Sequence, residues 1–176
     1  MQQGKWDEAL AAFRAAVEKD PDMSPAWFAI GMATTMKHGG PCEAAYGAFK
    51  RFVDLDPNHA PGHDNLGNTL IARKDYPRAE EHFRAAIRLD PKHAGAQQGL
   101  AVVLRKRGDL DGAMRAALEY VRLSGDPEGS GKVIVAKLRA QKKASPPAAK
   151  PDAEAQARFP PLPVARAPRR RAPSRD

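Results

Sequence analysis

The chain has 176 residues, of which 42% are hydrophobic but only 6% aromatic. This composition suits closely packed helices and argues against a β-sandwich, which needs more β-branched and aromatic residues. The formal charge of +8 comes entirely from the residues after 126, because residues 1–126 carry 17 basic and 17 acidic side chains. The high isoelectric point therefore describes a basic tail on a neutral body and does not indicate a nucleic-acid-binding domain.

The chain has one cysteine, Cys42, so no intrachain disulfide and no thiolate metal cluster can form. The first residues lack the basic and apolar regions of a secretory signal peptide. No apolar run approaches the length that crosses a bilayer. These observations predict a cytoplasmic protein without a membrane span.

Helical periodicity begins near the start of the chain. Between about Lys5 and Lys19 an apolar stripe with helical spacing predicts an amphipathic helix, and its members are Trp6, Ala9, Leu10, Phe13, Ala16 and Val17. The same design returns from Tyr76 to Pro91, with alanine, phenylalanine and alanine at the same intervals after the aromatic residue. Each copy ends before a proline, which disfavours helical geometry in the residue that precedes it.

This pattern repeats at a fixed period. Successive copies are separated by 36, 34 and 34 residues and are marked by Ala9, Ala45, Ala79 and Ala113. Between them lies a second kind of helix, in which Trp27, Ile30, Gly31 and Thr34 correspond to His63, Leu66, Gly67 and Leu70, and then to Gln97, Leu100, Ala101 and Leu104. Self-similarity at this period predicts an array of two-helix units.

A period of two helices with these apolar, small and aromatic positions resembles the tetratricopeptide repeat over roughly residues 4–125. The resemblance implies an all-α fold, a right-handed superhelical array of antiparallel helical hairpins. We predict a half repeat at 1–22, full repeats at 23–57, 58–91 and 92–125, a capping helix at 126–143, and a disordered basic tail rich in proline, alanine and arginine at 144–176.

Small and aromatic residues are expected to determine how the helices pack. Small residues should let the paired helices approach, and aromatic residues should fill the space between neighbouring hairpins; the two sets are Gly31, Gly67 and Ala101, and Phe13, Phe49 and Phe83.

The sequence departs from the repeat pattern at three places. Two extra residues around 37–42 predict a protruding loop. In the last repeat Ala117 and Tyr120 exchange a large and a small position, which conserves core volume. Phe52 stands where alanine is usual, without an obvious compensation.

Candidate catalytic or metal-binding residues are sparse. His59 and His63 lie four residues apart, but Pro61 separates them at a helix start, so we predict that His63 packs between helices and binds no metal. The segment Gly125–Lys132 resembles a phosphate loop only loosely, because Asp126 stands where the first glycine is required. No arrangement of nucleophile and base supports catalysis. We predict a protein that is not an enzyme and that binds no metal or cofactor.

In tetratricopeptide arrays the first helix of each repeat lines a concave groove that holds partners. The resemblance therefore implies a groove made here by residues off the packing stripes: Phe28, Met32 and Met36, then Asp64, Asn65 and Asn68, then Gln98, Val102, Arg105 and Lys106. These residues give the groove an apolar end, an amide-rich middle and a basic end. The clamp by which some family members hold acidic chaperone tails is matched only at Asn65, so the resemblance does not imply that partner.

The predicted function is that of an interaction module or scaffold that holds a protein or peptide partner in this groove. The alternative is an adaptor that binds an anionic surface or nucleic acid through the basic tail. We also expect self-association, a supplied partner helix or a start further upstream, because the apolar face of the first helix is too broad for the next repeat alone to cover.

Overall fold

The computed structural model describes residues 2–125 and 129–144, with side chains from residue 5 onward. All regular structure within these ranges is helical, which confirms the predicted all-α fold. The helices are α1 (Gln2–Lys19), α2 (Ser24–Lys37), α3 (Tyr46–Leu55), α4 (Ala60–Ala72), α5 (Tyr76–Leu89), α6 (Ala94–Arg107), α7 (Leu110–Ser124) and α8 (Ser130–Ala144), and a 3₁₀ turn at Glu43–Ala45 precedes α3. The predicted disordered tail lies outside the described residues, apart from its first residue.

Neighbouring helices pack on each other in chain order. Helices α2 and α3 form hairpin 1, α4 and α5 form hairpin 2, and α6 and α7 form hairpin 3. Helix α1 packs on α2, helix α8 packs on α7, and the first helices of hairpins 2 and 3, α4 and α6, also contact each other. Buried apolar side chains therefore form successive clusters along the described array instead of one central core.

Aspartates begin the second helices of hairpins 2 and 3. Asp75 accepts a hydrogen bond from the backbone N–H of Arg78 at 3.3 Å, and Asp109 accepts one from Gly112 at 2.8 Å. Each carboxylate satisfies a donor that has no partner within its own helix, and its negative charge suits the positive end of the helix dipole. The turn before Asp109 ends α6 at Gly108, whose φ of 88° favours glycine.

Glycines let the phenylalanine rings lie against the backbone of facing helices. Phe83 is fully buried, and a Cβ atom added at Gly67 or Gly99 would lie 2.8 or 2.2 Å from its ring. The ring thus occupies space left by two glycines, one in its own hairpin and one in the next. Gly31 faces Phe49 in the same manner, with a Cβ-to-ring distance of 2.6 Å. The expected role of glycine in helix approach is therefore confirmed at Gly31 and Gly67, and Gly99 is added to it.

The compensation for Phe52 is a glycine in the following helix. A Cβ atom at Gly62 would lie 2.4 Å from the Phe52 ring, so the ring fits only because residue 62 has no side chain. One period later both positions are small, since Ala86 and Ala96 replace this pair. Phe52 is buried and its ring centre lies 4.9 Å from that of Phe28. The expectation that Phe52 lacks a compensation is therefore wrong, because the compensating residue lies across a hairpin junction.

The two-residue insertion makes the turn of hairpin 1 longer than the others. His38, Gly39 and Pro41 are exposed there, and Gly39 has a φ of 73°, which favours glycine. At the end of this loop, Glu43 forms an ion pair with Arg73 of the next hairpin at 2.8 Å. The loop therefore protrudes as predicted while its last turn stays attached to hairpin 2.

The exchange of large and small residues in the last repeat serves the contact with α8. Ala117 is fully buried, and the fully buried Leu138 of α8 belongs to the same apolar cluster. Tyr120 is half-buried, and its hydroxyl lies 2.6 Å from Oγ of Ser130 at the start of α8. The large side chain of the last repeat, Tyr120, therefore contacts α8, the helix that packs on the last hairpin.

The apolar face of α1 is only partly covered by hairpin 1. Leu10 and Val17 are buried against α2 and α3, but the rest of the face is half-buried, namely Trp6, Ala9, Phe13 and Ala16. This incomplete cover agrees with a face too broad for one neighbouring hairpin. Whether a partner or a second copy covers it stays a prediction.

Two histidines form a hydrogen-bonded pair inside hairpin 2. Nε2 of His63 lies 2.9 Å from the carbonyl oxygen of Pro57 and must donate to it, so Nδ1 of His63 accepts from Nδ1 of His82 at 3.0 Å. Burial, the neighbouring His63 and Arg78 lower the pKa of His82 to about 4, against the opposing effect of Asp54. The folded protein therefore holds His82 neutral over a pH range in which the unfolded chain protonates it.

Phe52 and Gly62 should show strong coupling in a double-mutant cycle. Phe52→Ala alone should destabilise the fold by about 3–5 kcal/mol, and Gly62→Ala alone should destabilise it through the clash with the ring. With the ring removed, the added methyl group has room and alanine favours the helix by about 0.8–1.0 kcal/mol. Urea unfolding should thus show the double variant to be more stable than Phe52→Ala. Gly47→Ala, which has open space around its Cβ position, is the control, and additive effects at 52 and 62 would contradict the assignment.

Stability should fall as the pH is lowered from 7 to 5, in part because of His82. Its folded pKa of about 4 lies below the unfolded value of 6.5. In this window the unfolded state therefore binds more protons and is stabilised relative to the folded state as pH falls. After a discount for partial solvent exposure we expect a contribution of about 1 kcal/mol.

Urea unfolding of His82→Asn at pH 7 and pH 5 isolates this contribution, because asparagine keeps a donor for His63 and does not titrate. The loss of stability between the two pH values should be smaller in this variant than in the wild type. His38→Asn, in the exposed loop, should leave the loss unchanged. An equal loss in all three proteins would show that His82 is not the group responsible.

Candidate functional site

The predicted groove residues lie on α2, α4 and α6, and one residue in each helix contacts the start of the next first helix. Phe28 packs against His59 with ring centres 5.5 Å apart, and Asp64 lies 3.8 Å from Nε2 of His93. Gln98 donates from Nε2 to Oγ of Ser130 at 3.4 Å. Phe28, Asp64 and Gln98 occupy equivalent positions in their helices. Each contacts the residue at the N-terminus of α4, α6 or α8, respectively. The groove residues therefore also hold the array together.

Histidines cap α4 and α6 at these contacts. Nδ1 of His59 accepts from the N–H of Gly62 at 3.1 Å, and Nδ1 of His93 accepts from the N–H of Ala96 at 3.4 Å. Accepting through Nδ1 places the proton of each neutral ring on Nε2. In His93 this N–H lies on the side of Asp64. These histidines are absent from the predicted groove, although their recurrence 34 residues apart in the sequence could have indicated a shared role.

The apolar end of the groove is more tightly packed than the sequence predicts. Phe28 is half-buried, with ring centres 5.9 Å from Phe49 and 4.9 Å from Phe52. Met32 also packs against this cluster, whereas Met36 is 51% exposed. The premise that Phe28 lies off the packing stripes is wrong, because the large residue at position 52 extends the core toward it. Met36 is therefore the apolar residue at this end of the predicted groove that stays exposed.

The middle of the groove contains a carboxylate with few partners. The Asp64 side chain is 15% exposed, and its Oδ1 accepts from the amide of Asn68 at 3.3 Å. Burial raises the pKa of Asp64, although the neighbouring His93 and the bond from Asn68 oppose this effect. Gly95 leaves room for the carboxylate, because a Cβ atom there would lie 3.0 Å from Oδ2.

The two asparagines use their N–H groups within the protein. The Asn65 amide donates to the carbonyl oxygen of Pro61 at 2.8 Å, and the Asn68 amide donates to Asp64. Both side chains are half-buried. Their carbonyl oxygens remain to accept hydrogen bonds from a ligand. The middle of the groove thus presents acceptors, and it offers fewer donors than the sequence suggests.

The basic end of the groove consists of Val102, Arg105 and Lys106. Val102 and Arg105 are half-buried and Lys106 is exposed. Neither cation forms an ion pair or a hydrogen bond within residues 2–125 and 129–144; the neighbouring Arg107 instead pairs with the buried Glu80. Arg105 and Lys106 therefore supply unneutralised positive charge at this end.

The proposed packing role of His63 is confirmed, since its side chain is buried and its ring nitrogens contact His82 and the carbonyl of Pro57. His59 uses Nδ1 to cap α4 and does not join it in a common site. Across the part of the chain that the structure describes, no three histidine, cysteine or acidic side chains meet at metal-binding distance. None of the described helices is long and apolar enough to cross a membrane. The cytoplasmic location stays a prediction.

Comparison with known proteins identifies matches to the repeats and to the fold. The family model for the tetratricopeptide repeat matches residues 1–60 and 65–127. Among curated proteins, protein bimA of Emericella nidulans is 36% identical over 90 residues, which cover 51% of this chain but only 11% of bimA. The chain therefore spans about a tenth of that relative.

Solved structures with the same fold share little sequence with this chain. MamA is 22% identical with a TM-score of 0.65 and 81% coverage of both chains. The pilF protein of Pseudomonas aeruginosa is 22% identical with a TM-score of 0.66, over 81% of this chain and 64% of its own. YrrB, described as a tetratricopeptide protein with an unusual peptide-binding site, is 18% identical with a TM-score of 0.68, over 80% and 71%. Because the family model matches more than half of the residues, the chain belongs to the tetratricopeptide repeat family.

Proposed function

We propose that the protein is a non-catalytic interaction module that holds an extended segment of a protein partner along α2, α4 and α6. The observation that carries this proposal is that both ends of the groove present side chains not used in packing. Met36 is 51% exposed at one end, and Arg105 and Lys106 have no anionic partner among the described residues at the other. Membership of a family of interaction repeats supports this function, as does the peptide-binding site ascribed to the structural neighbour YrrB.

The groove residues indicate the chemistry of the partner segment. An apolar side chain would contact Met36 and the half-buried Met32, because methionine adapts to irregular apolar surfaces. The carbonyl oxygens of Asn65 and Asn68 would accept hydrogen bonds from backbone N–H groups of the segment. Acidic residues would lie toward Arg105, where they meet unneutralised positive charge. We therefore expect a segment that is apolar at one end and acidic at the other.

A second candidate function is supported by the charge distribution. Residues 127–176 carry 12 basic and 4 acidic side chains, and α8 has five basic residues and no acidic one. An excess of positive charge of this size would attract nucleic acid or an anionic membrane surface. Such binding weakens steeply as salt rises, whereas binding that includes apolar contact in the groove should respond less. A salt titration of any bound partner therefore separates the two functions.

Peptides selected from a random display library on the wild-type protein should depend on the two ends of the groove. Met36→Asp should weaken binding of the selected peptides about tenfold or more, because it places a carboxylate in the apolar contact. The double variant Arg105→Glu with Lys106→Glu should weaken binding by a similar factor and remove any preference for acidic peptides. Fluorescence polarisation with labelled peptides measures both effects.

The matched control is Leu118→Asp. Leu118 is 50% exposed, close to the exposure of Met36, but it lies on α7, which contributes no residue to the predicted groove. Its substitution should leave peptide affinity unchanged, and thermal unfolding should show both aspartate variants to be folded. Selected peptides that bind the groove variants as tightly as the wild type would show that the groove is not the binding surface.

A further inference from the structure

Each hairpin contains an equivalent slot between its two helices, and different residues fill it. The slot is occupied by Trp27 and Ala48 in hairpin 1 and by His63 and His82 in hairpin 2. The corresponding residues of hairpin 3, 34 positions after those of hairpin 2, are Gln97 and Ala116. In hairpin 3, Gln97 therefore supplies no ring, and Ala116 opposite it is as small as Ala48.

In the first two hairpins a ring fills the slot and binds the preceding turn. Nε1 of Trp27 donates to the carbonyl oxygen of Pro21 at 2.8 Å, and Nε2 of His63 donates to that of Pro57 at 2.9 Å. Trp27 packs against Ala48 and its neighbours, and His63 contacts His82. The slot is thus a place where this fold accommodates a planar ring with a polar edge.

The slot of hairpin 3 is an open cleft of about 330 Å³. Gln97 and Ala116 line it, together with the apolar side chains of Leu100 and Leu104. This volume lies at the lower end of the range for small-molecule sites, which corresponds to one small ring system. The space arises because neither residue of this hairpin supplies the ring found in the other two.

The charges around the cleft differ in how far they are already neutralised. Asp109 caps α7 by accepting from Gly112 at 2.8 Å, and Glu119 pairs with Arg122 at 2.5 Å. Arg84 pairs with Glu80 at 2.6 Å. Arg115 lines the cleft and forms neither an ion pair nor a hydrogen bond with the residues that the structure describes. Arg115 acts electrostatically on Asp111 of the same helix, but that carboxylate pairs with Lys142. The charge at this cleft that has no bonded partner is therefore positive.

We propose that this cleft is a binding site for a small aromatic carboxylate. The ring would occupy the place that Trp27 fills in hairpin 1, in contact with Leu100, Leu104 and Ala116. The carboxylate would pair with Arg115, since a guanidinium group binds carboxylates with two parallel hydrogen bonds. The site is lined by the two helices of hairpin 3 and by Arg84 of α5. It does not include the groove residues, so it is independent of the proposed peptide function.

The probe is 5-fluoroindole-3-acetate, followed by ¹⁹F NMR line broadening with the full-length protein. Wild type should bind it, and uncharged 5-fluoroindole should bind at least about fivefold more weakly, because it lacks the partner of Arg115. Arg115→Gln should lower the affinity for the carboxylate to that for the uncharged ring. Because Arg115 is exposed, this variant should keep the wild-type unfolding temperature.

Two variants fill the cleft from within, and each copies a residue that another hairpin already carries. Gln97→Trp reproduces the Trp and Ala pair of hairpin 1, and Ala116→His supplies one of the two histidines of hairpin 2 opposite Gln97. Both should fold, with an unfolding temperature close to that of the wild type. Both should reduce binding of the probe at least about tenfold. Lys106→Gln, which changes only the groove, should leave probe binding unchanged.

Three outcomes would overturn the proposal. The first is unchanged binding of the probe to folded Gln97→Trp, which would place the ring elsewhere. The second is equal binding of the charged and uncharged rings to the wild type, which would remove the role of Arg115. The third is binding of a peptide that ends in tryptophan without binding of the free carboxylate, which would make the cleft a contact for a protein terminus.

Discussion

The contact on which this array depends is a phenyl ring placed against helix backbone that bears no side chain. Phe83 can be fully buried only because residues 67 and 99 are both glycine, in two different hairpins. One ring therefore determines how closely its own hairpin closes and how closely the next hairpin approaches. Burial of such a ring stabilises the fold through both contacts, while a single added methyl group at Gly99 would clash with it. The junction between hairpins 2 and 3 follows from this constraint.

The junction between hairpins 1 and 2 uses the same physical solution at a different place. There Phe52 projects toward the next hairpin and Gly62 leaves room for it, so the aromatic core extends to Phe28 on the groove side. The groove and the core are thus continuous at this end.

Groove chemistry and array geometry are coupled through the residues that begin each first helix. His59, His93 and Ser130 contact groove residues on α2, α4 and α6 respectively, and the two histidines also cap their own helices. A ligand that changes the hydrogen bonds of Asp64 would therefore act on the start of α6 as well. Residues further along each helix, such as Met36 and Lys106, are exposed and take no part in these contacts.

The sequence by itself determined the helical class, the period, the packing role of Gly31 and Gly67, and the protruding loop in hairpin 1. These features follow from spacing along the chain, because the position of a residue within its own helix determines which helix face it occupies. Contacts between hairpins could not be predicted from this spacing. Phe52 and Gly62 lie in different hairpins, and in the sequence each is only a single departure from the repeat pattern. The exposure of individual groove residues could not be predicted from the sequence either. Phe28 and Met36 share one helix face, but only Phe28 contacts the next hairpin. The tertiary structure decided which groove residues hold the array and which are free, because that depends on what lies opposite each side chain.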